Sequence, residues 1–183
     1  LGITDFTVDE TDREIIVTAD RPYKFLYYDY NGNFLREKTS EAFYTEITRT
    51  TDNILAINSK ILEPKHYLSL LNEEDHRITV AKKIPLAFTY RGEFRCRGSY
   101  LLKSEHLYFT QNGDYTIYSW DNNRIKPVVT VDFGKYSYNP TQLNEEPHAP
   151  ATRNKVLSII NVKEIRSNLF FNTNKIGLFV YNK

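Results

Sequence analysis

At 183 residues, with 40% hydrophobic and 26% charged side chains, the chain has enough apolar mass for a sizeable core and too much of it for a disordered segment. Twenty-four Lys and Arg against twenty-three Asp and Glu leave a net charge of +1. The two signs are mixed along the sequence without a long basic block, which argues against a nucleic-acid partner, because such binding rests on concentrated phosphate neutralisation. No apolar run is long enough to span a bilayer as a helix, and the single Cys96 cannot close an intramolecular disulfide.

Fourteen Tyr and eleven Phe against one Trp favour strands, because flat rings pack well on a pleated surface. In chain order, Ile3 to Val8 is the first predicted strand, with Ile3, Asp5 and Thr7 on one face and Phe6 and Val8 on the other. Asp9-Glu10-Thr11-Asp12 is a polar turn, and Glu14 to Thr18 is a β-branched second strand. Lys24 to Tyr30 then meets Asn33 to Glu37 across Asn31-Gly32, an Asn-Gly pair between two apolar runs and so a strong hairpin signal.

A second set of four predicted strands follows at Phe43–Ile47, Asn53–Ile57, His66–Leu71 and Arg77–Ala81, with Asn72-Glu73-Glu74-Asp75 between the last two. A third set takes Ser99–Leu102, His106–Phe109, Tyr115–Trp120 and Arg124–Phe133, with Asp121-Asn122-Asn123 as its late turn. A fourth begins at Val156–Ile160, continues through Asn168–Phe171 and stops within Gly177–Tyr181. Recurrence of four short strands every 40 to 50 or so residues is the pattern of a β-propeller blade, whose faces are buried only against neighbouring blades.

The expected fold is therefore all-β, a propeller of four-stranded antiparallel blades with about three and a half blades present. Its expected parts are blades 3–39, 43–83 and 94–133, a loop 134–153, and a partial blade 156–183. Because propellers close with four to eight blades, the sequence reads as a segment of a longer protein; its first residues form neither an initiator Met nor a signal peptide. The loop carries Pro140, Pro147, Pro150, Glu145 and Glu146 without apolar period, and long loops of that kind are places to look for partner contact.

With the repeats laid out, the chain resembles the bacterial six-bladed β-propeller proteins of the NHL-like type. The residues that carry the likeness are Ile3–Asp9, the hairpin Phe25–Arg36, Thr116–Pro127 and Val131–Gly134. These are turn and packing patterns, so they speak to fold and are nearly silent on function. The resemblance implies a six-bladed ring, an extracytoplasmic place in the periplasm or at the cell surface, and a lipid anchor outside these residues in some members.

Candidate sites compete with plainer roles. A cation on the ring axis would need acidic, Asn or His side chains converging from inner strands. Asp5, Glu46, Asn161 and Glu164 are available there, at unmatched places in their repeats, and turn-capping or solvent-facing roles account for them. His66, His76, His106 and His148 form no close pair, and Asp75-His76 falls in an outer turn. Cys96 between Arg95 and Arg97 reads as a packing residue, since in a strand the arginines point away from its face. No nucleophile elbow or phosphate loop occurs. No metal, cofactor or catalytic residue is expected.

Aromatic residues in the connections remain. Tyr23, Tyr90, Tyr136 and Tyr138, with Arg91, Arg95 and Arg97 near Tyr90, are the candidate ligand contacts, because rings there stack on sugars or anchor peptides. Covering the blade ends is their other role. The function expected is a non-enzymatic binding or scaffold module taking a protein or glycan; the alternative is a lactonase- or lyase-like propeller enzyme with its site on the axis.

Overall fold

In the computed structural model, the residues described are 2–57, 67–85, 101–103, 106–111, 114–121, 124–138, 154–175 and 177–183. They form β-strands, antiparallel within each meander, and one short 3-10 turn, Gly134–Tyr136. The chain divides into two compact units, Leu1–Thr89 and Tyr90–Lys183. Among the described residues no helix is long and apolar enough to cross a membrane.

In the first unit, β1 (Ile3–Asp9), β2 (Glu14–Asp20), β3 (Tyr23–Asp29) and β4 (Phe34–Ser40) make one antiparallel meander. A second consists of β5 (Glu46–Arg49), β6 (Ile54–Ile57), β7 (Tyr67–Glu73) and β8 (Arg77–Pro85). The two join where the end of β4 pairs in parallel with the start of β8, Thr39 with Arg77 and Ser40 with Ile78. At the other margin β1 and β5 meet through side chains. Ile47 N–H donates to Asp5 Oδ2 at 2.8 Å, Arg49 N–H to Thr7 Oγ1 at 3.0 Å, and Thr4 Oγ1 to the Tyr44 carbonyl at 3.0 Å. Side chains of β1 thus satisfy backbone groups of β5 that would otherwise be buried without a partner.

That arrangement decides which face of β1 turns inward. Thr7 and Asp9 are buried and Phe6 is 62% exposed, the reverse of what hydrophobicity alone suggests. Behind this polar seam lies the core of the unit. Ile16, Phe25 and Tyr27 of the first meander pack on Tyr44, Ile47, Ile54, Ala56, Leu71 and Ile78 of the second, all buried. Phe25 meets Tyr44 edge-on at 6.0 Å. Fully burying side chains of this size contributes roughly 1.5–3 kcal/mol each.

The Asn31-Gly32 hairpin forms where expected, with a different turn. Only Gly32 has a positive φ, +83°, and the closing bond runs from Asp29 N–H to the Asn33 carbonyl at 3.0 Å, which makes a three-residue loop. The Asp29 carboxylate is the cause, because it accepts from Asn31 N–H at 2.9 Å and from Asn33 N–H at 2.8 Å. The second expected turn shifts as well: β7 runs through Glu73, and Glu74 N–H bonds to the Arg77 carbonyl at 2.9 Å across Asp75-His76.

The β1–β2 turn is capped by Asp9, whose Oδ1 accepts from Thr11 N–H at 2.9 Å and Asp12 N–H at 3.1 Å. It ends on Arg13 at φ +57°, a left-handed conformation that costs an L-residue roughly 1–2 kcal/mol. Arg13→Gly is expected to raise stability by about 0.5–1 kcal/mol after the entropy that glycine gains in the unfolded chain is subtracted. An unchanged or lower urea midpoint would contradict this.

The second unit has β9 (Leu101–Lys103), β10 (Leu107–Phe109), β11 (Thr116–Asp121) and β12 (Arg124–Thr130) as one meander. A three-stranded sheet follows from β13 (Ile159–Ile165), β14 (Asn168–Thr173) and β15 (Leu178–Asn182). Strict alternation of buried and half-buried residues along β14 reflects its place between two neighbours. Tyr108, Ile117, Ile159, Val162, Leu169 and Phe171 form the core, and Phe179 stacks on Phe171 at 5.3 Å. A register shift between Ile160 and Lys163, with Asn161 at φ +55°, marks a bulge in β13.

Mixed charges in the sequence hide a division between the units. The first holds 11 Lys and Arg against 15 Asp and Glu, and the second 13 against 8, so their net charges are −4 and +5.

Candidate functional site

The aromatic residues singled out by sequence go to different places. Tyr23 is not in a connection: it opens β3 paired with Asp20, half-buried, its ring 6.0 Å from Phe43. Tyr138 is not exposed either; it is buried beside the Tyr115 hydroxyl, which accepts its backbone N–H. That hydroxyl also donates to the Val156 carbonyl at 2.5 Å, and Val156 N–H bonds to the Tyr136 carbonyl at 2.8 Å. Segments 134–138 and 154–156 are thereby tied together. Among the described residues of the set, Tyr136 is the one open to solvent, 51% exposed, with Lys135 Nζ 5.2 Å from its ring centre. Tyr90, Arg91, Arg95, Arg97, Cys96, His66 and His148 lie outside the described residues, as does most of the expected loop.

Asp5, Glu46, Asn161 and Glu164 do fall on the first strands of their meanders, β1, β5 and β13. Asp5 is committed to Ile47; burial pushes its carboxyl up while hydrogen bonds from Ile47 and Phe6 pull it down, leaving it raised. Among the described residues no group of three or more His, Cys, Asp or Glu is placed to hold a metal ion.

Two polar networks carry the chemistry instead. In the first unit Arg49 of β5 lies between Asp9 of β1, with Nε 2.7 Å from Oδ2, and Glu73 of β7, with Nη1 2.5 Å from Oε2. Tyr27 donates to the other Glu73 oxygen, and Lys38 Nζ stands 3.7 Å from it. Burial, then the hydrogen bond to Glu73, push the Tyr27 hydroxyl far above the usual tyrosine range. Arg36 stacks over the Tyr27 ring at 4.1 Å and forks onto Glu14 at 2.5 and 2.7 Å. Three cations thus alternate with three carboxylates across both meanders.

In the second unit the buried carboxylate of Glu164, on β13, is the centre. Its Oε2 lies 2.7 Å from His106 Nδ1 and accepts from the Tyr108 hydroxyl at 2.8 Å, while Oε1 pairs with Lys183. Lys183 Nζ also donates to the Tyr108 hydroxyl at 2.7 Å. The His106 side chain is 61% exposed and that of Glu164 4%. A carboxylate out of water therefore orients an imidazole and an ammonium that both reach it. Sequence reasoning placed Glu164 on an inner strand; no signal joined it to His106, 58 residues earlier.

Burial alone would raise the Glu164 carboxyl, but hydrogen bonds from Lys183, His106 and Tyr108 outweigh it and pull it from 4.5 to about 2. Since the folded value is the lower one, the stability this group contributes is complete above pH 4.5 and is lost as pH falls toward 2. The stability difference between the native protein and Glu164→Gln is expected to shrink over that interval. Denaturation followed by fluorescence of Trp120, the single tryptophan and a residue of this unit, measures it. A difference independent of pH would remove Glu164 as the cause.

Three meanders of four antiparallel strands and a sheet of three, with the first strands β1 and β5 meeting in the first unit, are the blades of a β-propeller. The chain belongs to the family described as "6-bladed beta-propeller", which it matches over residues 1–183. Among solved structures it is similar to a "Putative exported protein" from Bacteroides fragilis NCTC 9343, with a TM-score of 0.71 at 17% identity over 99% of this chain and 55% of that one. It is also similar to BamB from Moraxella catarrhalis, with a TM-score of 0.53 at 11% identity over 98% of this chain and 46% of that one. No curated protein matches it. The chain spans about half the length of these structures.

Proposed function

We propose that the chain is part of a non-catalytic binding or scaffold propeller of the cell envelope, acting on a protein or a glycan. The observation that carries this reading is how the buried carboxylates are used. Asp5, Asp9, Glu73 and Glu164 each bond to groups of another strand, so they act as strand fasteners. Both Glu164 oxygens are engaged by His106, Tyr108 and Lys183, and those bonds hold its carboxyl well below the range in which a general acid works best. Exposed aromatic side chains such as Tyr136 and Tyr30 are left for contact with a partner. Resemblance to a structure described as exported supports the envelope location.

The test pairs two measurements on the purified chain. Saturable binding to fragmented bacterial envelope, with no turnover in a screen of lactones and uronic-acid polymers, is the expected result. Turnover that disappears in His106→Ala, without envelope binding, would overturn the reading in favour of an enzyme.

A further inference from the structure

The charge division between the units has a local form in the second. Strands β9, β11, β13 and β15 finish at the end where β10, β12 and β14 begin, because the Glu164 network joins the start of β10 to the ends of β13 and β15. Exposed Lys103, Arg124 and Arg166 sit at this end, in addition to His106 and Lys183. Lys126 is there too, neutralised by Asp121 at 2.5 Å. Lys103, Arg124 and Arg166 make no ion pair with any described carboxylate, and Glu164 is already spent on its own partners. At the opposite end Asp114 and Asp132 are interspersed with Lys135, Lys155 and Lys175.

One tyrosine lies on the Arg166 side of this end, where Lys183 N–H bonds to the Ser167 carbonyl at 3.0 Å. Leu169 pairs with both Glu164 and Tyr181, which puts Tyr181 in the row that faces the His106 side of the site, two residues before Lys183. Tyr181 is 38% exposed. Cations beside an accessible tyrosine suit a sugar ring that carries a carboxylate, since the ring stacks while the charge is paired.

We infer that this strand-end face of the second unit binds an anionic glycan of the uronic-acid type. The inference rests on the binding-module reading and names its ligand class. Charge density favours a glycan over a nucleic acid: duplex DNA carries one charge per roughly 1.7 Å of axis, a density that three cations without an ion pair among the described residues match poorly, even on a unit of net charge +5. A uronic-acid polymer carries one charge per sugar and brings faces for Tyr181.

The experiment is calorimetric titration of the intact chain with an oligogalacturonate at low salt, with dextran as the neutral control and a duplex DNA of similar length as the charge control. Oligogalacturonate is expected to bind, dextran not, and DNA more weakly. In Lys103→Ser/Arg124→Ser/Arg166→Ser, which leaves the Glu164 network intact, affinity should fall at least tenfold, with a shallower salt dependence. Tyr181→Ala should weaken oligogalacturonate binding and leave any DNA binding unchanged. No binding above dextran, equal affinity in the triple variant, or tighter binding to DNA each overturns the inference. If envelope fragments still bind in that case, the binding-module reading survives without this ligand; if they do not, both fail.

Discussion

Arg49→Met is expected to destabilise the first unit by roughly 3–5 kcal/mol, the cost of breaking a buried ion pair by removing one partner. The methionine keeps most of the volume, so packing is a minor part of the loss. What is left behind matters more: the Asp9 and Glu73 carboxylates, with side chains 5% and 20% exposed, face one another without the cation between them. Lys38 at 3.7 Å from Glu73 compensates in part and does nothing for Asp9. Hydrogen exchange is the measurement to use, because Ile47 and Arg49 amides bonded to Asp5 and Thr7 report the β1–β5 seam directly. Faster exchange there before the rest of the unit is the expected pattern. A loss below about 1 kcal/mol would mean that water or Lys38 takes over, and that the network is a weaker fastener than its geometry indicates. Replacing Asp9 and Glu73 by Asn and Gln in the same chain should recover much of the loss, since no carboxylate then lacks a partner.

Phe171→Ala should cost the second unit about 3–5 kcal/mol through a different mechanism, the cavity left by a large ring in a packed core. Phe171 is 3% exposed, stacks on Phe179 with an interplanar angle of 10°, and shares its cluster with Leu169 and Ile159. Phe171→Leu keeps more of the volume and should cost less than about 1.5 kcal/mol. Trp120 fluorescence during urea unfolding distinguishes the two variants, with equal midpoints as the outcome that contradicts a packing role. Together the two substitutions ask whether charge or packing contributes more to joining neighbouring meanders.

Much of this architecture was legible in the sequence because it depends on local signals. β-Branched runs such as Glu14–Thr18 and aromatic-rich ones such as Lys24–Tyr30 gave the strands, and Asn31-Gly32 gave the position of a hairpin. Its turn type was not legible, since it depends on the Asp29 carboxylate catching two amides. Nor was the inward face of β1, where Asp5, Thr7 and Asp9 turn in to satisfy β5 and leave Phe6 outside. Hydrophobic periodicity cannot register a strand whose polar side chains do the joining.

The candidate site was less legible for the same reason. Glu164 and Lys183 are 19 residues apart and Tyr108 is 75 from Lys183, so no spacing pattern connects them. Of the aromatic contacts read from sequence, Tyr136 is at the surface, whereas Tyr138 serves the clamp around Tyr115. A tyrosine in a connection can be either a ligand platform or the plug beneath it, and only packing separates the two.

A chain with a net charge of +1 would pass for nearly neutral on any titration of the whole molecule. With −4 on one unit and +5 on the other, it should nevertheless be retained at neutral pH and low salt by both anion- and cation-exchange resins, each resin gripping a different half. Mutations that alter only one unit would then move its elution on one resin and leave the other untouched, so the two columns would report on the two halves separately.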